Sequence, residues 1–278
     1  MPPPPLPRRR LGKTNLDIPV IPFGTQGFGN NFGPVSDDEA IVLIKHAISL
    51  GVNHFDCSRC YGDSFRKLGL ALREIKREDV IITGRLCCHS SAQWGIYGDG
   101  EPDYSSERVF RDVNDQLEIL GTDYFDGMLI HDPLEIDPTL APKGTLSGLL
   151  ELKSRGLVRH VGYGMRPHDF HLKAIETGDI DLLLCFNDYN LVRKTVDQNV
   201  IPAATAADPP PLEPPGVSSR FHGLRVIPKT RLSVTPFQPN SGEFVRPRII
   251  APASLSLSVI GASSRVMSCS WSFEPKVV

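Results

Sequence analysis

No apolar run in the 278 residues approaches the roughly 20 needed to cross a bilayer, which excludes a membrane-spanning helix. An excess of charge of either sign is also missing. Thirty Lys and Arg stand against 32 Asp and Glu, a net charge of −2, without the basic surface a nucleic-acid partner requires. Met1 to Arg10 has no apolar signal-peptide core. It is a proline run followed by Arg8, Arg9 and Arg10, and reads as a disordered, solvated tail on a cytoplasmic protein. Cysteine is sparse, and six in a chain of this length give no disulfide framework. Cys57 and Cys60 form a Cys-x-x-Cys, and Cys87-Cys88-His89 follows. Adjacent Cys87 and Cys88 make a poor second ligand doublet, so no metal site is expected. A thiol redox pair at Cys57 and Cys60 ranks below reduced thiols near a strand end. A Gly-x-Gly-x-x-Gly turn is missing too, which disfavours a doubly wound dinucleotide fold.

What is present is alternation. From residue 20 to about 190, short apolar runs alternate with helical patterns, as in a parallel α/β sheet or barrel. Strands are predicted at Val20–Gly24, at a run ending in His54-Phe55-Asp56, and at Val80–Thr83. Three more follow at Gly127–His131, Arg159–Gly162 and Leu182–Phe186. Ser36–Glu39 is a capping box ahead of Ile41, Ile44 and Ile48 at helical spacing. Ser105 and Ser106 cap a helix that carries Val109, Val113, Leu117 and Leu120 on one face and stops at Gly121. Six such units suit a (β/α)8 barrel. Residues 11–202 hold these units, and 203–278 form a divergent, proline-rich, partly disordered region. Residues 202–252 contain 11 of the 25 prolines, so no regular seventh helix is expected there and the barrel is predicted incomplete at strands seven and eight. Leu224–Ile227 and Ser256–Gly261 remain strand-like.

In such a barrel, reactive side chains project from the C-terminal strand ends. One predicted strand ends in Asp56, with Tyr61 and Gly62 just beyond, and another ends in His131-Asp132-Pro133. A carboxylate, a phenol and an imidazole at neighbouring strand ends can relay a proton beside a carbonyl.

These residues lie in blocks that resemble the aldo/keto reductases. Gly51-Val52-Asn53-His54-Phe55-Asp56 with Tyr61-Gly62 is similar to the family signature, which Leu68-Gly69-x-Ala71-Leu72 continues. Ile130-His131-Asp132, Gly156–Gly162 and Asp188-Tyr189-Asn190-Leu191 follow in the family's order. The His-Asp-Pro form and Asn187–Asn190 most resemble the D-threo-aldose, L-galactose and D-arabinose dehydrogenase branch. The resemblance covers roughly residues 10 to 202. It implies an NADP(H)-dependent oxidoreductase that interconverts a small aldehyde or aldose and its alcohol or lactone. Tyr61 would exchange the proton, His131 would orient the carbonyl oxygen and Asp56 would support them electrostatically.

Three departures from the family pattern stand out. The family's lysine, which lowers the tyrosine pKa, has no counterpart in Ile81-Ile82-Thr83-Gly84-Arg85. Either Gly84 replaces it or a deletion brings in Arg85, whose planar head is not a lysine equivalent. The turn at Gly162-Tyr163-Gly164-Met165 offers no short polar side chain for a nicotinamide carboxamide, which leaves Asn187 for that contact. Beyond Pro202 the pyrophosphate loop is missing, and two segments compete for the 2′-phosphate, Ile227–Thr230 and Gly261–Arg265. The second is preferred, with Ser263 and Arg265 as ligands. Reduced activity is therefore expected, the alternative being a non-catalytic relative that binds nucleotide without turnover.

Overall fold

The computed structural model describes residues 6–30, 33–87, 102–186, 188–190 and 193–207, and the backbone of 256–260 and 266–270. Strands β1 (Arg8–Leu11) and β2 (Leu16–Pro19) form an antiparallel hairpin, with Leu11 paired to Leu16 and Arg8 to Pro19. Arg8 to Arg10, expected in the disordered tail, are thus ordered. The ladder takes their backbone groups, and Arg8 donates to Asp17 Oδ2 (2.7 Å) and Asn53 Oδ1 (3.0 Å).

Six parallel strands follow in spatial order, each separated from the next by helix: β3 (Phe23–Gly24), β4 (His54–Asp56), β5 (Ile81–Cys87), β6 (Gly127–His131), β7 (Val161–Met165) and β8 (Leu182–Cys185). Between them run α1 (Asp37–Ser49), α2 (Ser64–Leu72), α3 (Ser106–Leu120), the short α4 (Asp137–Leu140), α5 (Thr145–Ser154) and α6 (His168–Glu176). After β8 comes α7 (Val200–Ala206). The caps predicted from sequence form. Ser36 and Glu39 make a reciprocal capping box on α1, Ser105 accepts from the Arg108 amide, and Gly121 ends α3 at φ 67°.

Alternation along each strand divides the buried residues in two. Phe55, Ile82, Leu86, Met128, Ile130, Val161, Tyr163 and Leu183 belong to one continuous core with the helices. The opposite face of the sheet carries His54, Asp56, Thr83, Arg85, Cys87, Leu129, His131, Leu182 and Leu184. Register fixes this set, because Asp56 pairs with Thr83, Arg85 with Leu129 and Cys87 with His131. Leu11 and Ile18 of the hairpin pack with Ile81, the first residue of β5, and floor a cavity also lined by His54, Asp56, Thr83 and Leu129.

The structure revises several boundaries. The first sheet strand begins at Phe23 rather than Val20, whose amide is held by the Pro7 carbonyl (3.0 Å). Strands β5 and β7 run on to Cys87 and Met165, beyond the glycines that seemed to end them. Pro202 does not stop α7, because it lies in the first turn, where a missing amide hydrogen costs no helical bond.

The sheet is completed by β9 (Ser256–Ile260) and β10 (Val266–Ser270). Strand β10 runs parallel to β8, and β9 pairs with it antiparallel. The six parallel strands therefore form a half-barrel, with β3 and β9 as the outer strands of the order. The strand-like Leu224–Ile227 lies outside the described residues. No described helix is long and apolar enough to cross a membrane.

Candidate active site

Asp56 is the last residue of β4 and His131 the last of β6, and β5 between them contributes Arg85 and Cys87 from the same face. The loop after β4 carries Ser58, Cys60 and Tyr61 over this mouth. Its path depends on two glycines. Gly62 adopts φ 57°, and a Cβ on Gly29 would lie 2.0 Å from the Tyr61 carbonyl oxygen, so the two loops meet backbone to backbone. Lys67 is buried below them, and its Nζ donates to the Phe28 carbonyl (2.9 Å) and Asn30 Oδ1 (3.1 Å), holding the 25–30 loop in place.

A charged pair lies at the centre. Arg85 donates through Nε to Asp56 Oδ1 at 2.9 Å and through Nη2 to Oδ2, a two-pronged contact with both side chains under 5% exposed. The remaining prong, Nη1, is 3.1 Å from His131 Nε2. A guanidinium can only donate, so Nε2 accepts and the neutral imidazole carries its proton on Nδ1. The phenol of Tyr61 packs edge-on to His131, with ring centroids 6.1 Å apart, and its ring lies 5.6 Å from the Arg85 head. Burial pushes the Tyr61 phenol well above its usual value, and the nearby Arg85 charge only partly opposes this.

Beyond His131 lies a sulfur cluster. Its Nδ1 is 3.3 Å from Cys87 Sγ and 3.5 Å from both Cys60 Sγ and Ser58 Oγ. The bond from Cys60 is the largest influence holding the Cys87 thiol far down. The same contact, together with burial, pushes the Cys60 thiol up.

Asp56, Tyr61 and His131, singled out in the sequence, are thus brought together. The strand-three ambiguity also resolves. A side chain at Gly84 would strike Met128 and Phe125 on the helix side, at 2.8 and 2.9 Å, so Arg85 is the residue that faces Asp56. The Cys57/Cys60 pairing gives way. Cys57 is buried in the helix-side core, its thiol 3.6 Å from the Thr83 carbonyl, whereas Cys60 clusters with Cys87, Ser58 Oγ lying 2.9 Å from one sulfur and 3.5 Å from the other. Tyr163 is a packing residue, fully buried with its hydroxyl 2.8 Å from Thr139 Oγ1. Asn187, Ser263 and Arg265 lie outside the described residues. Sequence reasoning missed Ser58, Cys60 and Cys87 as neighbours of His131. The available signal was alternation, since Cys87 is two residues beyond Arg85 and four beyond Thr83 on one strand face.

The phenol, the imidazole and the ion pair can donate, accept and orient protons, but they hold no hydride. That donor set fits a bound nicotinamide dinucleotide at the reacting end.

The aldo/keto reductase family model matches residues 20–211. Among curated proteins, the chain is 31% identical over 195 residues to an L-galactose dehydrogenase of Arabidopsis thaliana, covering 68% of this chain and 58% of that one. It is 27% identical over 205 residues to a D-threo-aldose 1-dehydrogenase of a Pseudomonas species, covering 68% and 62%. The chain thus spans less than two thirds of the length of either. A solved aldo-keto reductase structure from Pseudomonas aeruginosa superposes with a TM-score of 0.62 at 28% identity, covering 72% of this chain and 75% of that one.

Proposed function

The chain belongs to the aldo/keto reductase family, and from that premise we propose that it is an NADP(H)-dependent oxidoreductase interconverting an aldehyde or aldose and its alcohol or lactone, working more slowly than a lysine-containing relative. The observation that carries this reading is the convergence of Tyr61, His131 and the Arg85–Asp56 pair at the C-terminal ends of three adjacent strands. The names of the similar sugar dehydrogenases support the substrate class.

A nicotinamide dinucleotide, when bound, supplies or takes the hydride, and Asn187, Ser263 and Arg265 are the residues that would hold it. Tyr61 gives its phenolic proton to the carbonyl oxygen during reduction and takes it back during oxidation. His131 orients that oxygen. Its Nε2 accepts from Arg85 Nη1, and an accepting nitrogen cannot hold a carbonyl oxygen, so the ring proton must shift from Nδ1 to Nε2 as the oxygen displaces that contact.

The slower rate follows from electrostatics. Stabilising the tyrosinate needs an uncommitted positive charge, and here the cation is tied by two bonds to Asp56 while burial holds the phenol protonated. The wild-type chain, mixed with NADP and L-galactose or D-arabinose, or with NADPH and glyceraldehyde, is expected to change nicotinamide absorbance measurably above a protein-free control. No change with any pair across pH 6 to 10 overturns the proposal.

A further inference from the structure

We propose that Cys60, Cys87 and His131, with Ser58 at the fourth corner, form a binding site for a thiophilic divalent cation, zinc being the metal these donors suit. The site follows from four side chains that chain order scatters over the loop after β4 and the ends of β5 and β6.

The geometry is that of a coordination sphere. The three ligand atoms of Cys60, Cys87 and His131 all lie within 4.8 Å of one another. His131 Nδ1 is 3.3 Å from Cys87 Sγ and 3.5 Å from Cys60 Sγ. Ser58 Oγ is 2.9 Å from Cys60 Sγ, 3.5 Å from Cys87 Sγ and 3.5 Å from Nδ1. Bonds of about 2.3 Å to sulfur and about 2.0 Å to nitrogen or oxygen give tetrahedral edges of about 3.3 to 3.8 Å. Of the five edges that involve Ser58 Oγ or His131 Nδ1, only Ser58–Cys60 at 2.9 Å must open appreciably, by about 0.6 Å. All four side chains are buried, with Ser58 at 0% exposure and none above 8%. Two thiolates neutralise the dication, which buried charge requires. Two cysteines and one histidine leave the fourth position to a weak ligand, here a neutral hydroxyl that a water or substrate oxygen can replace.

Proton balance fixes a second consequence. Binding releases any thiol protons of Cys60 and Cys87 to solvent. The imidazole must offer a lone pair at Nδ1, so its proton moves to Nε2, where Arg85 Nη1 now donates. Asp132 Oδ2, 3.6 Å from Nε2, is placed to accept that proton, the outer-shell carboxylate a metal-bound histidine commonly has. Arg85 keeps its two bonds to Asp56. Metal binding and the Arg85–His131 contact therefore exclude each other.

Binding is read without turnover, so its failure leaves the carbonyl-reductase reading untouched. The full chain, reduced and stripped with a chelator, is titrated anaerobically with Co2+ and separately weighed by native mass spectrometry with Zn2+. We expect one equivalent of cobalt to raise a thiolate-to-metal charge-transfer band that zinc then abolishes. Mass should rise by one zinc less the protons the two thiols lose. Cys57→Ser retains the band, Cys60→Ser and Cys87→Ser lose it, and Asp132→Ala weakens zinc by about 10-fold or more. Absence of the band and of the zinc adduct in the wild-type chain overturns the proposal without relying on any variant folding. So does a Cys60–Cys87 disulfide that forms as fast with equimolar zinc as without it.

Discussion

The two ends of the half-barrel are built from similar residues and put them to different uses. At the floor, near the N-terminal strand ends, the buried carboxylates Asp126 and Asp181 tie strand starts together. Asp126 accepts from Arg77 (2.8 Å), Arg159 (3.0 Å) and the Ile82 amide (2.9 Å), joining the starts of β5, β6 and β7. Asp181 does the same for Lys153 and the Val161 amide. At the mouth, Asp56, Arg85, His131 and Tyr61 surround one another and link no strand starts. The contrast teaches that burial alone does not mark a functional acid or base. What marks it is that a carboxylate, a guanidinium, an imidazole and a phenol converge at the C-terminal strand ends.

This contrast can be broken at either end. The largest effect belongs to the wall that joins them. A Cβ at Gly162 would lie 1.8 Å from the Leu182 carbonyl oxygen, so Gly162→Ala should cost more than about 4 kcal/mol and yield no cooperative thermal transition. At the floor, Asp126→Ala strips two arginines and a buried amide of their acceptor. A loss of about 3 kcal/mol in urea unfolding is expected, with kcat of the folded fraction within about twofold of wild type.

Acid should act on the fold through two histidines. Burial depresses both His54 and His171 to about 4 from an ordinary 6.5. The unfolded chain binds protons between these values that the folded chain refuses. Their contribution is therefore fully present above pH 6.5 and falls as pH drops toward 4, by up to about 3 kcal/mol for each. Urea midpoints measured from pH 7.5 to 4.5 check this, and His54→Gln should flatten the slope.

The smallest effect is the sharpest for the mouth. Arg85→Lys replaces a two-pronged planar cation with a point charge that can approach the phenol. It should raise kcat several-fold and shift the pH–rate profile toward lower pH, while loss of the two-pronged bond to buried Asp56 lowers stability by about 2 kcal/mol.

Much of this was legible before any coordinates. Apolar runs ended by Gly51, Gly121 and Gly156 gave the strand–helix alternation, because each glycine takes the left-handed backbone that stops a helix. Asp56, Tyr61 and His131 were legible because strand ends are where a barrel exposes its chemistry. Gly84 hid the rest. It ended the apparent strand at Thr83, whereas the real strand passes through it with Gly84 against Phe125 and Met128, and so delivers Arg85 and Cys87 inward. The first hairpin escaped notice because three consecutive arginines show no alternation, their pairing being fixed by Asp17 and Asn53. Strand β9 was visible as the strand-like Ser256–Gly261, but its antiparallel direction is set by its partner β10, which no local pattern reveals.

Proton exchange at Tyr61 is the claim on which the functional reading turns. Steady-state turnover of Tyr61→Phe, measured beside wild type with the same nicotinamide and aldose, tests it most directly. Removing one hydroxyl is predicted to lower kcat by about 100-fold or more while the thermal midpoint stays close to wild type. Turnover that persists undiminished in the phenylalanine variant would contradict the account.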